Sequence, residues 1–276
     1  MNYVKILHKL VKQKTIKLNK QLEENKRLSE EIIEKEKFKN SYFVNLSHEL
    51  RTPINVIMST VQLINTFNKD KTMTNQKSER YMNIISKNCN SLLNIINDII
   101  DSSKIETGQY KINKNDTEIV YLVEEAALNM SKFIEDKGLS LVIDPDMEEQ
   151  IIYCDEIEIE RCIVNLLGNA VKFTPEGGKI NIYIKEINNS IEITVEDTGI
   201  GISKEDQEFI FKKFSQVEGT GATKASSSGI GLALVKHVVE LHGGYVRLES
   251  ELNKGSRFII GLPNVSEHIL DSNENV

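Results

Sequence analysis

The segment Asn45–Ile57, NLSHELRTPINVI, contains a histidine, a glutamate and a proline in a stretch that is otherwise typical of an amphipathic helix. Neutral imidazole is nucleophilic near pH 7, and a neighbouring carboxylate can orient the ring and take up the proton that the reaction releases. His48 and Glu49 therefore have the chemistry of a nucleophile and its base. The alternative is a solvated surface histidine next to a chance kink at Pro53.

Two asparagines and a lysine form a second candidate group. Asn165 and Asn169 are four residues apart, so they share one face of a predicted helix, although the positions around them are apolar. Lys172 lies on the following turn. A single buried amide is more often a satisfied core group, but the pair together with the lysine indicates a face that could hold Mg²⁺ and phosphate.

Glycine-rich segments supply the third group. Asp197 follows a predicted strand in the string EDTGIGI, where its carboxylate could accept a hydrogen bond from an exocyclic amino group. Gly199 and Gly201 would let the backbone approach a flat ring, although such a string alone is often only a turn. Gly219–Gly221 and Ser227–Leu232 predict a mobile loop that ends at a helix N-terminus, where N–H groups and the helix dipole favour phosphate.

The composition limits which classes of protein can carry these groups. The 276 residues suggest about two domains, and 39% hydrophobic with 27% charged residues is ordinary for a globular protein. The net charge of -7 argues against a nucleic-acid partner. Cys89, Cys154 and Cys162 are too scattered for a disulfide framework or a zinc site. No apolar run is long enough for a membrane span or a secretory signal, which predicts a cytoplasmic chain.

Residues 1–37 form a predicted helical stem. Its charged side chains are lysines only as far as Lys20, and acidic residues begin at Glu23. Mixed charge without glycine or proline favours a long solvated helix that could pair with a second copy as a coiled coil. A membrane-surface contact or the remnant of an upstream segment would be the alternative interpretation of the lysines, but such a charge run is usually a solvated face.

Residues 38–108 are predicted to form a helical hairpin. Its two helices carry apolar residues at alternating spacings of three and four, which is the pattern of a bundle seam. The two seams consist of Leu50, Ile54, Ile57, Val61 and Ile64, and of Met82, Ile85, Cys89, Leu92, Ile96 and Ile99. A hairpin alone buries too little apolar surface, so we expect two chains to complete a four-helix bundle.

His48 lies off the first seam, on a polar stripe that continues to Asn55 and Gln62, so we expect it to point outward. Pro53 lacks a backbone N–H and clashes with the carbonyl of Glu49, which loosens or bends this turn at a cost of roughly 3 kcal/mol. An accessible imidazole on a loosened turn favours the nucleophilic role over the solvated-surface one.

Residues 109–263 are predicted to form an α/β sandwich of one mixed sheet and one helical layer. Predicted helices cover residues 119–136, 155–172 and 230–241, and predicted strands cover residues 139–143, 151–153, 179–187, 191–195, 246–249 and 257–262. Asn188, Asn189 and Ser190 form a predicted turn. The polar residues 264–276 are expected to be a disordered tail.

The string SHELRTPI, Ser47–Ile54, closely resembles the H box of the sensor histidine kinases of two-component signalling. Asn97–Glu106 is similar to the end of that family's bundle domain, and the closing GSRFIIGLP to its last strand. The strings NLLGNA, DTGIG, FIFKKF and GIGL are similar in order and spacing to its N, G1, F and G2 boxes. The resemblance implies an α + α/β fold class, with a helical-hairpin dimerisation domain followed by an ATP-binding domain of the histidine kinase, gyrase and chaperone type.

The resemblance also implies a role for each matching residue. His48 would be the phosphoacceptor, Glu49 would accept its proton, and Thr52 would orient water for dephosphorylation of the partner. Asp197 would bind the adenine amino group, and Asn169 would contact Mg²⁺ as well as phosphate. Further nucleotide contacts would come from Asn165, Lys172, Phe173, Gly199, Gly201, Ser228, Gly229, Gly231 and Leu232.

Three features differ from the family pattern or leave alternatives open. Ser228 stands where threonine is common, which preserves the hydroxyl. Phe211 and Phe214 of the F box either anchor a loop by aromatic packing or contact the nucleotide. The family usually carries an input module upstream, so the signal is expected from a separate partner, an upstream sensor or a membrane segment.

The implied function is that of an ATP-dependent protein histidine kinase that uses Mg²⁺, works as a homodimer and passes the phosphoryl group from His48 to an aspartate of a response regulator. A protein acting mainly as a phosphatase on its regulator is one alternative. A non-enzymatic ATP-dependent dimer switch is another, but the intact H box speaks against it. The chain would be cytoplasmic, alone or as the cytoplasmic part of a membrane-bound receptor.

Overall fold

The computed structural model of the protein describes residues 2–69, 73–211 and 229–265. Two compact units, Met1–Thr52 and Pro53–Val276, make up the chain. The described part of the first unit is helical throughout, and the second unit contains the predicted α/β sandwich.

Helix α1, Asn2–Lys69, continues through the predicted stem and through Pro53 without interruption. The side chains of residues 11–30 are all exposed, which agrees with a solvated helix. Coiled-coil pairing and the domain boundary at residue 38 stay predictions, as does a bend at the proline. Over the described ranges, no helix combines the length and apolarity that crossing a membrane requires.

Helix α2, Asn75–Glu106, begins with a side-chain cap and is followed by a glycine. The Thr74 hydroxyl oxygen accepts the N–H of Lys77 at 3.3 Å and satisfies one donor of the first turn. After the last turn, Gly108 takes φ +66°, and the N–H of Gln109 donates to a carbonyl of that turn at 2.8 Å. Helix α2 thus ends just before a glycine in the left-handed region, and the domain boundary at residue 108 stays a prediction.

The connection between α1 and α2 is closed by aromatic and charged side chains. The rings of Phe67 and Tyr81 stack with 6.0 Å between centroids and 17° between planes. Lys77 Nζ lies 4.5 Å from the Phe67 centroid, a cation–π distance. These contacts hold the two helices of the hairpin together at the connection.

The predicted seams are covered only at every second position. Half-buried side chains are Leu50, Ile57, Ile64, Ile85, Leu92 and Ile99. The intervening seam residues are exposed, namely Ile54, Val61, Met82, Cys89 and Ile96. A helix in a four-helix bundle has two neighbours, whereas a hairpin supplies only one. One side of each seam therefore stays uncovered within a single chain.

The predicted α/β sandwich is confirmed. Its helices are α3 (Ile119–Glu135), α4 (Glu156–Phe173), α5 (Lys204–Gln207) and α6 (Gly231–Leu241). Its strands are β1 (Asn115–Glu118), β2 (Ser140–Pro145), β3 (Ile151–Cys154), β4 (Lys179–Ile187), β5 (Ser190–Asp197), β6 (Tyr245–Glu251) and β7 (Gly255–Pro263). A five-stranded mixed sheet has the order β2-β4-β5-β7-β6, in which β2 is parallel to β4 and the other pairs are antiparallel.

A separate two-stranded sheet corrects the expectation of a single sheet. Strand β1 pairs with β3 antiparallel, with Asn115 opposite Cys154 and Glu118 opposite Ile151. The β1 sequence, NDTE, lacks apolar alternation, so no pattern indicated a strand there. Its hydrogen-bonding partner, rather than its own side chains, makes it a strand.

The predicted β4–β5 turn is shorter than expected, because Ser190 already belongs to β5, and the start of the predicted tail is bound to the sandwich. Asn188 and Asn189 form the β4–β5 turn with φ of 50° and 63°, a region that asparagine tolerates. The Asn264 side chain donates to Glu186 Oε1 at 2.7 Å, and the Val265 carbonyl accepts the N–H of Tyr153 at 2.6 Å. The first two residues of the predicted tail are therefore bound to the sandwich, and residues 266–276 lie outside the described residues.

The core lies between the five-stranded sheet and helices α3, α4 and α6. Alternate residues of β4 and one face of α4 are fully buried, which follows from their periods of 2 and 3.6. These side chains include Ile180, Ile182, Ile184, Ile163, Leu166 and Leu167. Because α4 is fixed by this packing, the polar side chains on its other face project from a rigid backbone.

One arginine joins the end of α2 to α4. Arg161 donates to Asp101 Oδ2 at 2.5 Å and to Asp98 Oδ1 at 3.3 Å. The Tyr110 hydroxyl donates to Glu158 Oε2 at 2.5 Å, and burial together with this carboxylate raises the pKa of Tyr110. The hairpin thus contacts the helix that carries the two asparagines.

His242 links the end of α6 to the start of α4. The ring is buried, and its Nε2 accepts the N–H of Asp155 at 2.9 Å, so in the neutral ring Nδ1 is the nitrogen that donates to the Val238 carbonyl, at 2.7 Å. Asp155 itself caps α4 by accepting the N–H of Glu158 at 3.2 Å. The neutral imidazole is therefore the form that fits this position.

We expect acid to weaken the fold through His242. Burial lowers the pKa of His242 below 6.5, against a partly opposing hydrogen bond to Val238 and with Lys114, Asp155 and Glu158 nearby. Its contribution to stability is therefore present above about pH 6.5 and is lost as the pH falls from there through the lowered folded-state pKa. His242→Ala should lower the free energy of unfolding by about 2 to 4 kcal/mol at neutral pH, and by less in acid.

Urea unfolding of both chains at neutral and acidic pH measures this difference. Replacing the exposed His8 with alanine is the matched control, and it should leave the free energy of unfolding unchanged. An identical loss for His242→Ala at both pH values would contradict a role for the neutral ring.

Candidate functional site

The candidate phosphoacceptor residues lie on α1, in the first compact unit. The His48 side chain is exposed, whereas Glu49 is only 8% exposed. Consecutive helix residues point about 100° apart, so these two side chains leave the helix on different sides. Thr52 shares the face of His48, is exposed, and donates from Oγ1 to the His48 carbonyl at 3.1 Å. Proton acceptance by Glu49 stays a prediction.

Asn165 on α4 and Gly231 at the start of α6 are brought together. The Asn165 Nδ2 donates to the Arg161 carbonyl at 2.9 Å, which fixes the orientation of the amide. A Cβ built on Gly231 would lie 2.6 Å from Asn165 Oδ1, closer than a side chain allows. The N-box asparagine and the G2-box helix therefore meet, and a side chain in place of Gly231 would force the Asn165 amide to move.

The rest of the polar face of α4 is accessible at its C-terminal end. Asn169 and Lys172 are half-buried, and Phe173 is 43% exposed. Lys172 Nζ lies 5.1 Å from the Phe173 ring centroid. A cation over an exposed aromatic ring, next to an amide on the same face, presents groups suited to phosphate and to a flat ring.

Asp197 ends β5 and is only 6% exposed. Its Oδ1 accepts the N–H of Gly199 at 2.7 Å, and its carboxylate also accepts the N–H of Ser256. Burial raises the pKa of Asp197, and these two N–H groups only partly oppose that rise. A buried carboxylate held by the backbone is suited to accepting a further hydrogen bond with fixed geometry.

The G1 segment after Asp197 is hydrogen-bonded to the end of α4. The N–H of Ile200 donates to the Phe173 carbonyl at 3.2 Å. Asp197 and Phe173 therefore flank the same loop, and the adenine site there stays a prediction.

The predicted triphosphate end is described only in part. Ser228, Phe214 and the segment Gly219–Gly221 lie outside the described residues. Gly229 takes φ +63°, and Leu232 packs against the core. The N-cap residue Ile230 makes no side-chain hydrogen bond to the start of α6, whose first N–H groups have no acceptor within the helix. Such a terminus favours an anion.

Of Phe211 and Phe214 in the F box, only Phe211 lies within the described residues. Phe211 is half-buried and meets Phe258 edge-to-face with 6.3 Å between centroids. This contact favours aromatic anchoring over nucleotide contact for Phe211.

Asn169 is the predicted protein ligand of Mg²⁺. In nucleotide sites Mg²⁺ is usually held by one or two protein oxygens together with substrate phosphates. Across the described ranges, no cluster of three or more histidine, cysteine, aspartate or glutamate side chains could hold a metal. A half-buried amide oxygen beside Lys172 fits the ion in that phosphate-dependent mode.

The β6–β7 hairpin contributes contacts that motif reasoning missed. Ser256 supplies an N–H to Asp197, and Asn253 supplies an N–H to Ile200 at 2.6 Å. Both are backbone contacts, which leave no side-chain signature in the sequence. The sequence indicated only two strands in this region, residues 246–249 and 257–262.

Two family models match the chain in the regions just described. Residues 39–108 match the family described as His Kinase A (phospho-acceptor) domain. Residues 154–266 match the family described as Histidine kinase-, DNA gyrase B-, and HSP90-like ATPase. The first match includes His48, and the second includes Asn165, Asn169 and Asp197.

Similar proteins carry related names. The chain is 32% identical over 263 residues to hybrid signal transduction histidine kinase D of Dictyostelium discoideum, which covers 92% of this chain and 17% of the relative. It is 34% identical over 227 residues to autoinducer 2 sensor kinase/phosphatase LuxQ of Vibrio cholerae, covering 80% of this chain and 26% of the relative. The chain thus spans about a quarter or less of these two curated relatives.

A solved structure resembles most of the chain. Full-length ShkA, crystallised in complex with AMPPNP, has a TM-score of 0.61 and 26% sequence identity. The similarity covers 81% of this chain and 45% of that one.

Proposed function

The chain carries the catalytic core of a sensor histidine kinase of two-component signalling, and we propose that the whole protein transfers the γ-phosphoryl group of ATP to His48 and then to an aspartate of a response regulator. One observation carries this proposal: an exposed histidine in the matched phospho-acceptor segment accompanies a buried carboxylate and an asparagine face in the matched ATPase segment.

The proposed first step is displacement at the γ-phosphorus. A neutral nitrogen of His48 attacks, the bond from phosphorus to the β–γ bridging oxygen breaks, and ADP leaves with that oxygen. The proton of the attacking imidazole passes to a base, for which Glu49 is the proposed residue. Because Glu49 is covered, this step requires its side chain to turn or the proton to pass through water.

The proposed role of the ATPase segment is positioning and charge neutralisation. Asp197 accepts a hydrogen bond from the adenine amino group, and Phe173 lies beside the ring. Asn165, Lys172 and the N–H groups at the start of α6 bind phosphates. Mg²⁺, held by Asn169 and the phosphates, would supply positive charge to the transferring group.

We also propose that two chains pair through the helical hairpin of α1 and α2. The exposed half of each seam supports this, because Ile54, Val61, Met82 and Ile96 are 43, 41, 57 and 44% exposed. Apolar residues repeating at bundle spacing would be covered by a second copy. Whether phosphoryl transfer occurs within or across subunits depends on the handedness of the hairpin.

Two observations support the phosphatase alternative. A similar protein is named a sensor kinase/phosphatase, and Thr52 is exposed on the face of His48. The non-enzymatic dimer switch is less well supported, because the chain also matches a phospho-acceptor domain. An upstream sensor or membrane segment and a cytoplasmic catalytic core complete the proposal, with no nucleic acid among the partners.

A two-step labelling experiment tests this function. Incubation with γ-labelled ATP and Mg²⁺ should label the native chain, and addition of a response-regulator receiver domain should then move the label to that domain. A receiver whose acceptor aspartate is replaced by asparagine is the control and should stay unlabelled. If the native chain binds ATP but is never labelled under activating conditions, the kinase proposal fails. If the chain removes label from a phosphorylated receiver but is never labelled itself, the phosphatase alternative is favoured.

A further inference from the structure

The loop formed by residues 199–202, here called the adenine loop, is held on one side by the elements of the known motifs. Gly199 donates its N–H to Asp197, and Ile200 donates its N–H to the Phe173 carbonyl. These contacts fix the start of the loop but leave its second half to be positioned by something else.

The β6–β7 hairpin supports the other side of the adenine loop. The Ile200 carbonyl accepts the N–H of Asn253 at 2.6 Å. Gly201 takes φ +67°, and a Cβ there would lie 2.0 Å from the Glu251 carbonyl oxygen. The N–H of Ile202 donates to Ser250 Oγ at 2.8 Å. The β6–β7 hairpin therefore contacts three consecutive loop residues, Ile200 and Ile202 by hydrogen bonds and Gly201 by close backbone approach.

One serine connects this support to the carboxylate of the site. Ser250 Oγ also donates to the Gly255 carbonyl at 2.9 Å and lies 3.0 Å from Ser256 Oγ. Ser256 in turn is the residue opposite Asp197 where β7 pairs with β5. A single hydroxyl thus relates the position of Ile202 to that of Asp197.

A glutamine reinforces the same junction from α5. Gln207 Nε2 donates to the Ile202 carbonyl and to the Ser250 carbonyl, each at 2.9 Å. Together Ser250 and Gln207 bond the N–H and the carbonyl of Ile202, and neither residue belongs to the H, N, G1, F or G2 strings. Both ends of the adenine loop are therefore fixed in one conformation.

We infer that Ser250 and Gln207 are positioning residues for adenine recognition. They act through the adenine loop, keeping it in the conformation that accepts the base without the loop having to reorder on binding. The inference rests on the proposed ATP site. It predicts that their loss weakens binding of the adenine part of the nucleotide and leaves binding of the phosphates intact.

Calorimetric titration of the full chain with MgATP and with magnesium tripolyphosphate separates the two parts. Ser250→Ala should weaken ATP binding roughly ten-fold, the effect of one lost hydrogen bond, while tripolyphosphate binding is unchanged. Ser250→Thr retains the hydroxyl and should restore ATP binding. Ser131→Ala, which removes an exposed serine hydroxyl bonded only within α3, is the matched control and should bind ATP like the native chain.

Variants of Gln207 provide a second test of the inference that does not depend on the Ser250 hydroxyl. Gln207→Glu places an acceptor against two carbonyl oxygens and should weaken ATP binding more than Gln207→Met, which only removes the donor. If Ser250→Ala fails to fold, the two Gln207 variants decide the question. In the labelling assay, KM for ATP should rise while kcat at saturating ATP is retained.

Three results would overturn the inference. ATP affinity could stay within about two-fold of native in the folded variants, tripolyphosphate binding could weaken in parallel, or the variants could lose only thermal stability. If the native chain itself does not bind ATP, the proposed function fails and takes this inference with it. Native binding that the variants retain would refute only the positioning role.

Discussion

Replacing Asp197 with asparagine is expected to weaken ATP binding about 100-fold, because the amide presents a donor where the adenine amino group needs an acceptor. The side chain is 6% exposed and held by the N–H groups of Gly199 and Ser256, so it cannot turn away at little cost. Calorimetric titration with ATP measures the loss.

The effect on stability should have the opposite direction. Burial raises the pKa of Asp197, so its contribution to stability is present below the unfolded-state pKa and is lost as the pH rises through the folded-state pKa. At neutral pH the ionised carboxylate therefore costs stability, and the variant should unfold at an equal or higher urea concentration.

A matched control is available on the surface. Asp146 is exposed and pairs with Lys185 at 3.2 Å, so Asp146→Asn should leave ATP binding unchanged. If Asp197→Asn bound ATP like the native chain, or if it lost binding and stability together, Asp197 would not be the adenine acceptor.

Replacing His48 with glutamine is expected to abolish labelling by γ-labelled ATP while ATP affinity stays within about two-fold of native. Glutamine has no nucleophilic nitrogen, and it is a good helix former at an exposed position of α1. The variant should therefore fold, bind nucleotide and fail only in chemistry.

The stem offers the control for this variant. His8 is also exposed on α1, so His8→Gln should be labelled like the native chain. Undiminished labelling of His48→Gln would show that another residue accepts the phosphoryl group.

Much of this site could be predicted from the sequence because its side chains carry the chemistry. The four-residue spacing of Asn165 and Asn169 defined one face of a helix, and helix α4 was predicted within one residue of its observed ends, Glu156–Phe173. The apolar periods of 3.6 and 2 indicated the main layers of the sandwich for the same reason.

The parts that could not be predicted depend on backbone partners. Strand β1 has no apolar alternation and exists through its pairing with β3. The low exposure of Glu49, 8%, was not predicted either, because the local string gives its position on the helix but not what covers it. The junction of Ser250, Gln207 and Ile202 joins residues that are far apart in the chain.

The sequence also could not show which seam residues are covered within one chain. The periodicity predicted the seam positions in α1 and α2, but it could not divide them between neighbours. The structure separates the half covered within one chain, such as Ile57 and Ile85, from the half left exposed, such as Val61 and Met82. That division gives the dimer proposal its specific contact surface.

Locating the phosphoryl group on the native chain after incubation with γ-labelled ATP and Mg²⁺ decides whether His48 is the phosphoacceptor. We expect an acid-labile, base-stable label confined to the peptide that contains His48. An acid-stable label on a serine or threonine, or an acid-labile label on a peptide without His48, would contradict it.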